Sequence, residues 1–298
     1  MPRRALLTAS ERDSLLAFPS ANEDLIRHYM LGEPDISVVR QHRGDQNRLG
    51  FAVLLCSLRY PGCPLGADMV VPDVVLSFIA RQLHLNPAVW PLYAQRTETR
   101  REHLRELQAY LGLTPFGARH FRQFVRHLTD LAQQTDKGIV LATALVGALR
   151  QGKVMAPVVE VIERVCAEAL ARGTRKVYEA LTGPVPTEHR ERLDGLLVPR
   201  ETASISALSW LRQPPGVPNA KHVLAHIERL AAVRSVGLPD ALEQAVHQNR
   251  LLKLAREGGQ MTAQHLRDLE ETRRHATLAA VVLENRATLI DETIDMLD

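Results

Sequence analysis

Apolar residues recur at three- and four-residue spacing through most of this chain, in runs that clusters of proline and glycine cut short. That pattern admits one class of fold, because side chains three or four apart share a face of an α-helix, whereas a half-buried strand needs alternation. Val158, Val161, Ile162, Val165 and Ala169 form one such stripe. The residue types agree. Ala, Leu, Arg and Glu dominate, aromatic residues make up 4%, and β-branched runs are short, so most positions lose little side-chain entropy in a helix. The chain reads as all-α, with tandem small helical modules of helix-turn-helix type followed by longer scaffold helices.

The breaks set the plan. Helices are expected over 11–18, 22–31, 35–41 and 45–60, with Ser20 and Asp35 as N-caps and Gly32-Glu33-Pro34 as a turn. Further helices are expected over 72–85, 87–95 and 98–111, then 118–134, 138–151 and 157–181, and finally 220–233, 240–257, 262–269 and from 272 on. The Pro/Gly breaks at 61–66, 112–117 and 183–186 divide the chain into a first module (1–64), a second, related one (65–117), a long-helix scaffold (118–183) and a third module (184–298). The last helix keeps Leu278, Val281, Val282, Leu289, Ile290 and Ile294 close to the final residue, which reads as a truncated third module expecting a partner surface.

The first two modules share a pattern. A shift of 53 residues places Leu25 and Ile26 on Phe78 and Ile79, Met30 on Leu83, Ile36 on Val89 and Val39 on Leu92. It also places Arg43 on Arg96, Arg48 on Arg101, Phe51 on Leu104, Leu54 on Leu107 and Leu58 on Leu111. Two such units suggest two successive contacts with something long and regular.

Basic side chains gather where each unit's last helix begins. Arg40, His42, Arg43, Gln46, Asn47 and Arg48 form the first cluster, and Arg96, Thr97, Thr99, Arg100 and Arg101 the second. Arginine forks suit phosphates, Gln and Asn at a first helical turn can meet base edges, and helix N-termini favour anions. The competing reading is a solvated loop in which Asp45 caps the helix and Arg43 pairs with an acid. Arg119, Arg122 and Arg126 lie at helical spacing with no acid until Asp130, a basic face able to follow a DNA strand. Arg212 and Lys221 flank the proline-rich segment 213–218 as a further strip. Arg250 enters through the string Gln248-Asn249-Arg250-Leu251, which repeats Gln46-Asn47-Arg48-Leu49.

Residues 1–135 hold 16 Lys+Arg against 13 Asp+Glu, and the remainder 21 against 21, so the excess of positive charge lies in the first half. Of 37 basic residues 32 are Arg. That preference fits phosphate recognition, and it equally fits a GC-rich genome. Three widely spaced cysteines, with no CxxC pair, suggest neither a disulfide framework nor a zinc site. The twelve histidines fall in no metal-ligand spacing, and no phosphate loop or nucleophile elbow is present, so no cofactor, metal or catalytic residue is expected. The longest apolar run, 139–149, is too short to span a bilayer, and no membrane role is expected.

Several stretches resemble one family in the same order along the chain. They are Arg43 to Tyr60, the hexapeptide Thr99-Arg100-Arg101-Glu102-His103-Leu104, Gln134-Thr135-Asp136, Trp210-Leu211-Arg212-Gln213-Pro214-Pro215-Gly216, and Val246-His247-Gln248-Asn249-Arg250-Leu251. The family is that of the large replicative transposases of class II bacterial transposons, the Tn-three family, and the resemblance is to their N-terminal region. It implies sequence-specific binding of double-stranded DNA at terminal inverted repeats. It further implies a downstream catalytic domain of the same polypeptide, RNase H-like with an Asp/Asp/Glu metal site, so that this chain alone is no enzyme. A homodimer formed through the full-length protein and a cytoplasmic, nucleoid-associated location go with it. The reading of a different class is an all-helical adaptor that holds protein partners without binding DNA.

Overall fold

The computed structural model describes residues 5–65, 70–93, 97–200, 204–214, 216 and 219–296, and among these every regular element is helical. The chain divides into two compact units, one of residues up to 128 with 137–168, the other of residues 129–136 with 169 onward.

In the first unit α1 (Ala9–Leu15), α2 (Asn22–Tyr29), α3 (Glu33–Arg40) and α4 (Asp45–Arg59) precede α5 (Asp73–Leu83), a 3-10 segment (Pro87–Leu92) and α6 (Thr97–Leu111). Most of α7 (Ala118–Ala132), all of α8 (Gly138–Gln151) and the start of α9 (Val159–Thr182) complete it. Helix α4 is its centre. Every residue from Leu49 to Leu58 is buried, as expected of a helix apolar on all sides. Leu25 and Tyr29 of α2, Val39 of α3, Val75 and Ile79 of α5 and Leu107 of α6 join it in one apolar cluster.

Shifted by 53 residues, α2, α3 and α4 fall on α5, the 3-10 segment and α6. The packing is unequal. Whereas α4 is enclosed, α6 buries only His103 and Leu107 among its described residues. The helix expected over 87–95 is instead 3-10 and ends at Leu92, because Pro91 inside it has no N–H to donate. Close approach is built in at Gly50, where a Cβ would stand 2.0 Å from the Tyr93 ring.

Helix α3 begins at Glu33, two residues before the expected start, with Gly32 as cap and Pro34 in its first turn. Asp35 thus lies in the third helical position. Its carboxylate accepts from the Gly32 N–H (2.8 Å), from two Arg59 nitrogens (2.8 and 2.5 Å) and from the Tyr110 hydroxyl (2.7 Å), which ties α3, α4 and α6 to one buried anion. Burial alone would raise its pKa, but these donors hold it below the ordinary carboxylate value. Helix α1 runs from residue 9 rather than 11, because Thr8 and Glu11 make a capping box. Glu163 receives Arg12 through two bonds, 3.0 and 2.5 Å.

The second unit contains the end of α7, most of α9, α10 (Thr187–Gly195), α11 (Ala207–Leu211), α12 (Ala220–Ser235), a 3-10 segment (Asp240–Gln244), α13 (Gln248–Gln260), α14 (Ala263–Arg267) and α15 (Glu271–Asp295). Its core is α15, buried without interruption from His275 to Leu283. Leu251 and Leu254 of α13, Leu208 and Leu211 of α11, Leu193 of α10 and Val177 and Leu181 of α9 share its cluster. The single helix expected over 240–257 is divided, since Ala245 to His247 leave the helical path. Asp194 of α10 accepts from Arg274 (2.8 Å) and pairs with His275 (3.0 Å) of α15. Burial opposes its ionisation, yet these two partners hold its pKa below the ordinary value.

Candidate nucleic-acid interface

The turn between α3 and α4 is braced from within. Gln41 and His42 donate to Val38 and Val39 carbonyls at 3.1 and 3.2 Å, tightening the end of α3. Gly44 then takes φ +84°, a left-handed conformation that a side chain would strain. Asn47 and Arg48 N–H groups both return to the Gly44 carbonyl at 3.1 Å. The side chains close the loop further. Arg48 Nε donates to the His42 carbonyl (2.9 Å), and Asn47 Nδ2 donates to the Arg43 carbonyl (3.0 Å). Arg48 also stands 3.8 Å from Asp45. Of the six residues in this cluster, Arg40 and Arg43 are exposed. His42, Asn47 and Arg48 shape the turn, while Gln46 is half-buried with its amide against Gly44.

His42 points inward. Its ring lies 4.1 Å from that of Phe51 and 4.5 Å from that of His103, and its Nε2 is 3.4 Å from Glu106 of α6. His103 in turn shares a 3.1 Å hydrogen bond with the Tyr93 hydroxyl. Burial, with His42 beside it, pushes the His103 pKa down to about 4, so it is neutral near pH 7. This seam joins the first basic cluster to the helix that carries the second. Thr99 and Arg100 lie one helical turn before His103 and are half-buried, and Arg100 donates to the Leu65 carbonyl at 2.6 Å. Arg101 is exposed, as is Arg105 one turn later. Arg105 is an addition to the sequence-derived set, and its four-residue spacing from Arg101 is the signal that marks it. Thr97 begins α6. Arg96 lies outside the described residues.

Helix α7 separates its faces most sharply. Phe124, Val125, Leu128 and Ala132 are buried, while Arg119, Arg122 and Arg126 are exposed. At about 100° per residue the three arginines share one side, and seven residues of rise spread them over about 10 Å. One DNA strand presents a phosphate about every 3.4 Å of axis, so this strip matches about three phosphates. No acid occupies the first turn, and the dipole adds positive potential there.

The second unit uses its arginines differently. Arg212 donates to the Met261 carbonyl (2.7 Å) and to that of Gly258 (2.5 Å). Arg250 is 5% exposed and donates to Thr174 Oγ1 at 2.6 Å. Burial lowers the pKa of both. Their guanidinium groups are held inside this unit and are not offered at a basic surface, unlike those of α7. Lys221 is exposed on α12. No group of His, Cys, Asp or Glu among the described residues is placed to hold a metal ion. Burial pushes the Cys56, Cys63 and Cys166 thiols up to about 12, 11 and 12, which makes them poor nucleophiles.

The described residues thus form an all-helical region with exposed arginines on α7, on α6 and on the turn before α4. Comparison with known proteins supplies the family. The model described as "Domain of unknown function (DUF4158)" matches residues 6–169, and the chain belongs to that family, an N-terminal domain of Tn-three transposases. Among its relatives are the transposase for transposon Tn501 of Pseudomonas aeruginosa, 54% identical over 298 residues, and that for Tn21 of Escherichia coli, 52% identical over the same length. The transposase for Tn1546 of Enterococcus faecium is 30% identical over 297 residues. These alignments take in 99–100% of this chain and 30% of each relative, so the chain spans under a third of their length.

Proposed function

We propose that this chain is the part of a replicative transposase that holds the terminal inverted repeats of its transposon as double-stranded DNA. The carrying observation is the α7 strip, in which Arg119, Arg122 and Arg126 face outward over an apolar floor with no acid before Asp130. Arg40 and Arg43 on the braced turn and Arg101 and Arg105 on α6 extend the phosphate contact, and Gln46 is the side chain at the turn that meets base edges. Because the turn and α6 meet at the His42–His103 seam, the two clusters grip neighbouring phosphates rather than two separated stretches. Strand transfer belongs to a catalytic domain elsewhere in the full-length polypeptide, through which two copies pair on the transposon ends. The setting is the bacterial cytoplasm, at the nucleoid, and no described helix is long and apolar enough to cross a membrane.

The test is binding to a duplex carrying the parent transposon's end repeat, followed by fluorescence anisotropy over a salt series. Affinity should fall by about 0.9 log units per log unit of salt for each phosphate neutralised. Replacing Arg119, Arg122 and Arg126 together by Ala should lower that slope by about 2 to 3 with the helical content intact. An unchanged slope, or binding indifferent to salt, would sink the proposal and favour a protein-binding adaptor. Footprints of Arg43→Ala and Arg101→Ala should lose protection within one helical turn of each other, and losses farther apart would restore two independent contacts.

A further inference from the structure

Helix α12 of the second unit seats polar side chains in its inner face, although Val233 and Leu230 also pack there. A surface helix ordinarily buries an apolar stripe and shows its polar side to water. Here the buried positions are His226, at 1% exposure, Arg229 and Val233, whereas Leu224 is 61% and Ile227 49% exposed. Ala220 and Ala231 are exposed with them, as are the charged Lys221, Glu228 and Arg234. The inner side is poorly satisfied. Neither ring nitrogen of His226 has a hydrogen-bond partner among the described residues, and Nδ1 stands 3.6 Å from Glu292 of α15, beyond hydrogen-bonding reach. Arg229 donates to the Gln213 carbonyl at 2.8 Å and to its side chain at 3.2 Å, while its Nε is buried with no hydrogen-bond partner among the described residues.

Helix α13 packs on the same α15 and shows what an ordinary seat looks like. It buries Leu251, Leu254, Ala255 and Gly258, an apolar stripe at helical spacing, with Arg250 bonded to Thr174. The seat of α12 is also undercut. A groove of about 580 Å³ opens between Val233 and Arg234 of α12 and Val282, Leu283, Arg286 and Ile290 of α15.

We propose that α12 is a releasable strap, which leaves α15 as one piece while α13 and α15 stay paired. Opening returns three buried nitrogens to water, and this offsets part of the apolar packing given up at Val233 and Leu230. This inference is independent of DNA binding.

Native-state hydrogen exchange on the 298-residue chain tests it. Amides of 222–234 should exchange at least about a hundredfold faster than those of 250–259 and 276–290, as local opening requires. His226→Leu, which removes the unpartnered nitrogens at similar volume, should slow exchange in α12 by about tenfold and leave α13 unchanged. Ile227→Ser, on the outer side, should leave α12 exchange within about twofold of the parent. Protection of α12 equal to that of α13 overturns the proposal, and so does faster exchange in His226→Leu. Faster exchange in Ile227→Ser also overturns it, because it would mean that the outer side is already covered in solution.

Discussion

Gln46-Asn47-Arg48-Leu49 and Gln248-Asn249-Arg250-Leu251 are the same four letters at the starts of two helices, and their arginines meet opposite fates. In α4 the helix begins one residue before the string, at Asp45, after a left-handed Gly44, and Arg48 folds back on its own turn to bond the His42 carbonyl. Its side chain remains 39% exposed. In α13 the helix begins on Gln248 itself, after His247 has capped the Asn249 N–H, and Arg250 lies inside against Thr174 of α9. The string specifies a helix start in both places. What lies opposite the helix decides whether its cation braces a surface turn or fills a core. Each helix adds a contrast of its own, since α4 places its buried ion pair at the far end, Arg59 on Asp35.

Five substitutions separate the two cases. The largest effect belongs to that far end. Asp35→Asn should cost about 3 kcal/mol at pH 7, because Arg59 would be left without its anion. The Asp35 carboxyl has a lowered pKa in the folded state, so its contribution is fully present above the unfolded value, about 4, and is lost as pH falls through the folded one. Urea midpoints of parent and variant should therefore converge below about pH 4, and a constant gap would remove Asp35 from the hub. Next, Arg250→Ala should cost about 2 to 3 kcal/mol in urea unfolding, whereas Arg250→Met, which keeps the packing without the buried charge, should stay within about 1 kcal/mol of the parent. Equal losses in the two variants would show that the charge itself is needed.

Arg48→Ala should cost about 1 kcal/mol, the worth of one bond across a partly solvated turn. A loss matching that of Arg250→Ala would erase the contrast between the two strings. The smallest effect is that of Arg43→Ala, whose thermal midpoint should move by less than the equivalent of about 0.5 kcal/mol, with its consequence confined to DNA affinity. Beside these, the imidazole resonances of His103 should show no protonation down to about pH 5, since burial holds its pKa at about 4. Titration near the ordinary histidine value, about 6.5, would mean that the seam opens to water.

Helices with dense apolar periodicity are legible in the sequence. Gly138–Gln151 has the expected limits, and Asp45–Arg59 and Val159–Thr182 fall within one or two residues of theirs. Helix α10 escapes such a reading because Leu193 is its only buried residue, so no stripe marks it. Helix α11 is five residues long, shorter than two turns of any periodic signal. The division at 245–247 has no proline or glycine to announce it. Within the candidate interface, the outward face of α7 follows from spacing alone, because its buried residues alternate with arginines at helical period. The bracing of Arg48, the inward turn of His42 and the burial of Arg212 and Arg250 do not. Each depends on a partner distant in sequence, at Glu106, Met261 or Thr174, or on a backbone carbonyl that any residue could have supplied.

The contact between Gly50 and the Tyr93 ring also bears on how such a chain can drift. Two helical triplets offset by 53 residues could diverge freely if each kept its own core, but here a ring from the second occupies the space of a Cβ in the first. The order of change is therefore constrained. A smaller residue at 93 must come before any side chain at 50, and the reverse order passes through a clash. Neighbouring triplets packed in this way become inseparable in heredity: neither can be lost, exchanged or shuffled into another protein without leaving the other with a hole or a collision.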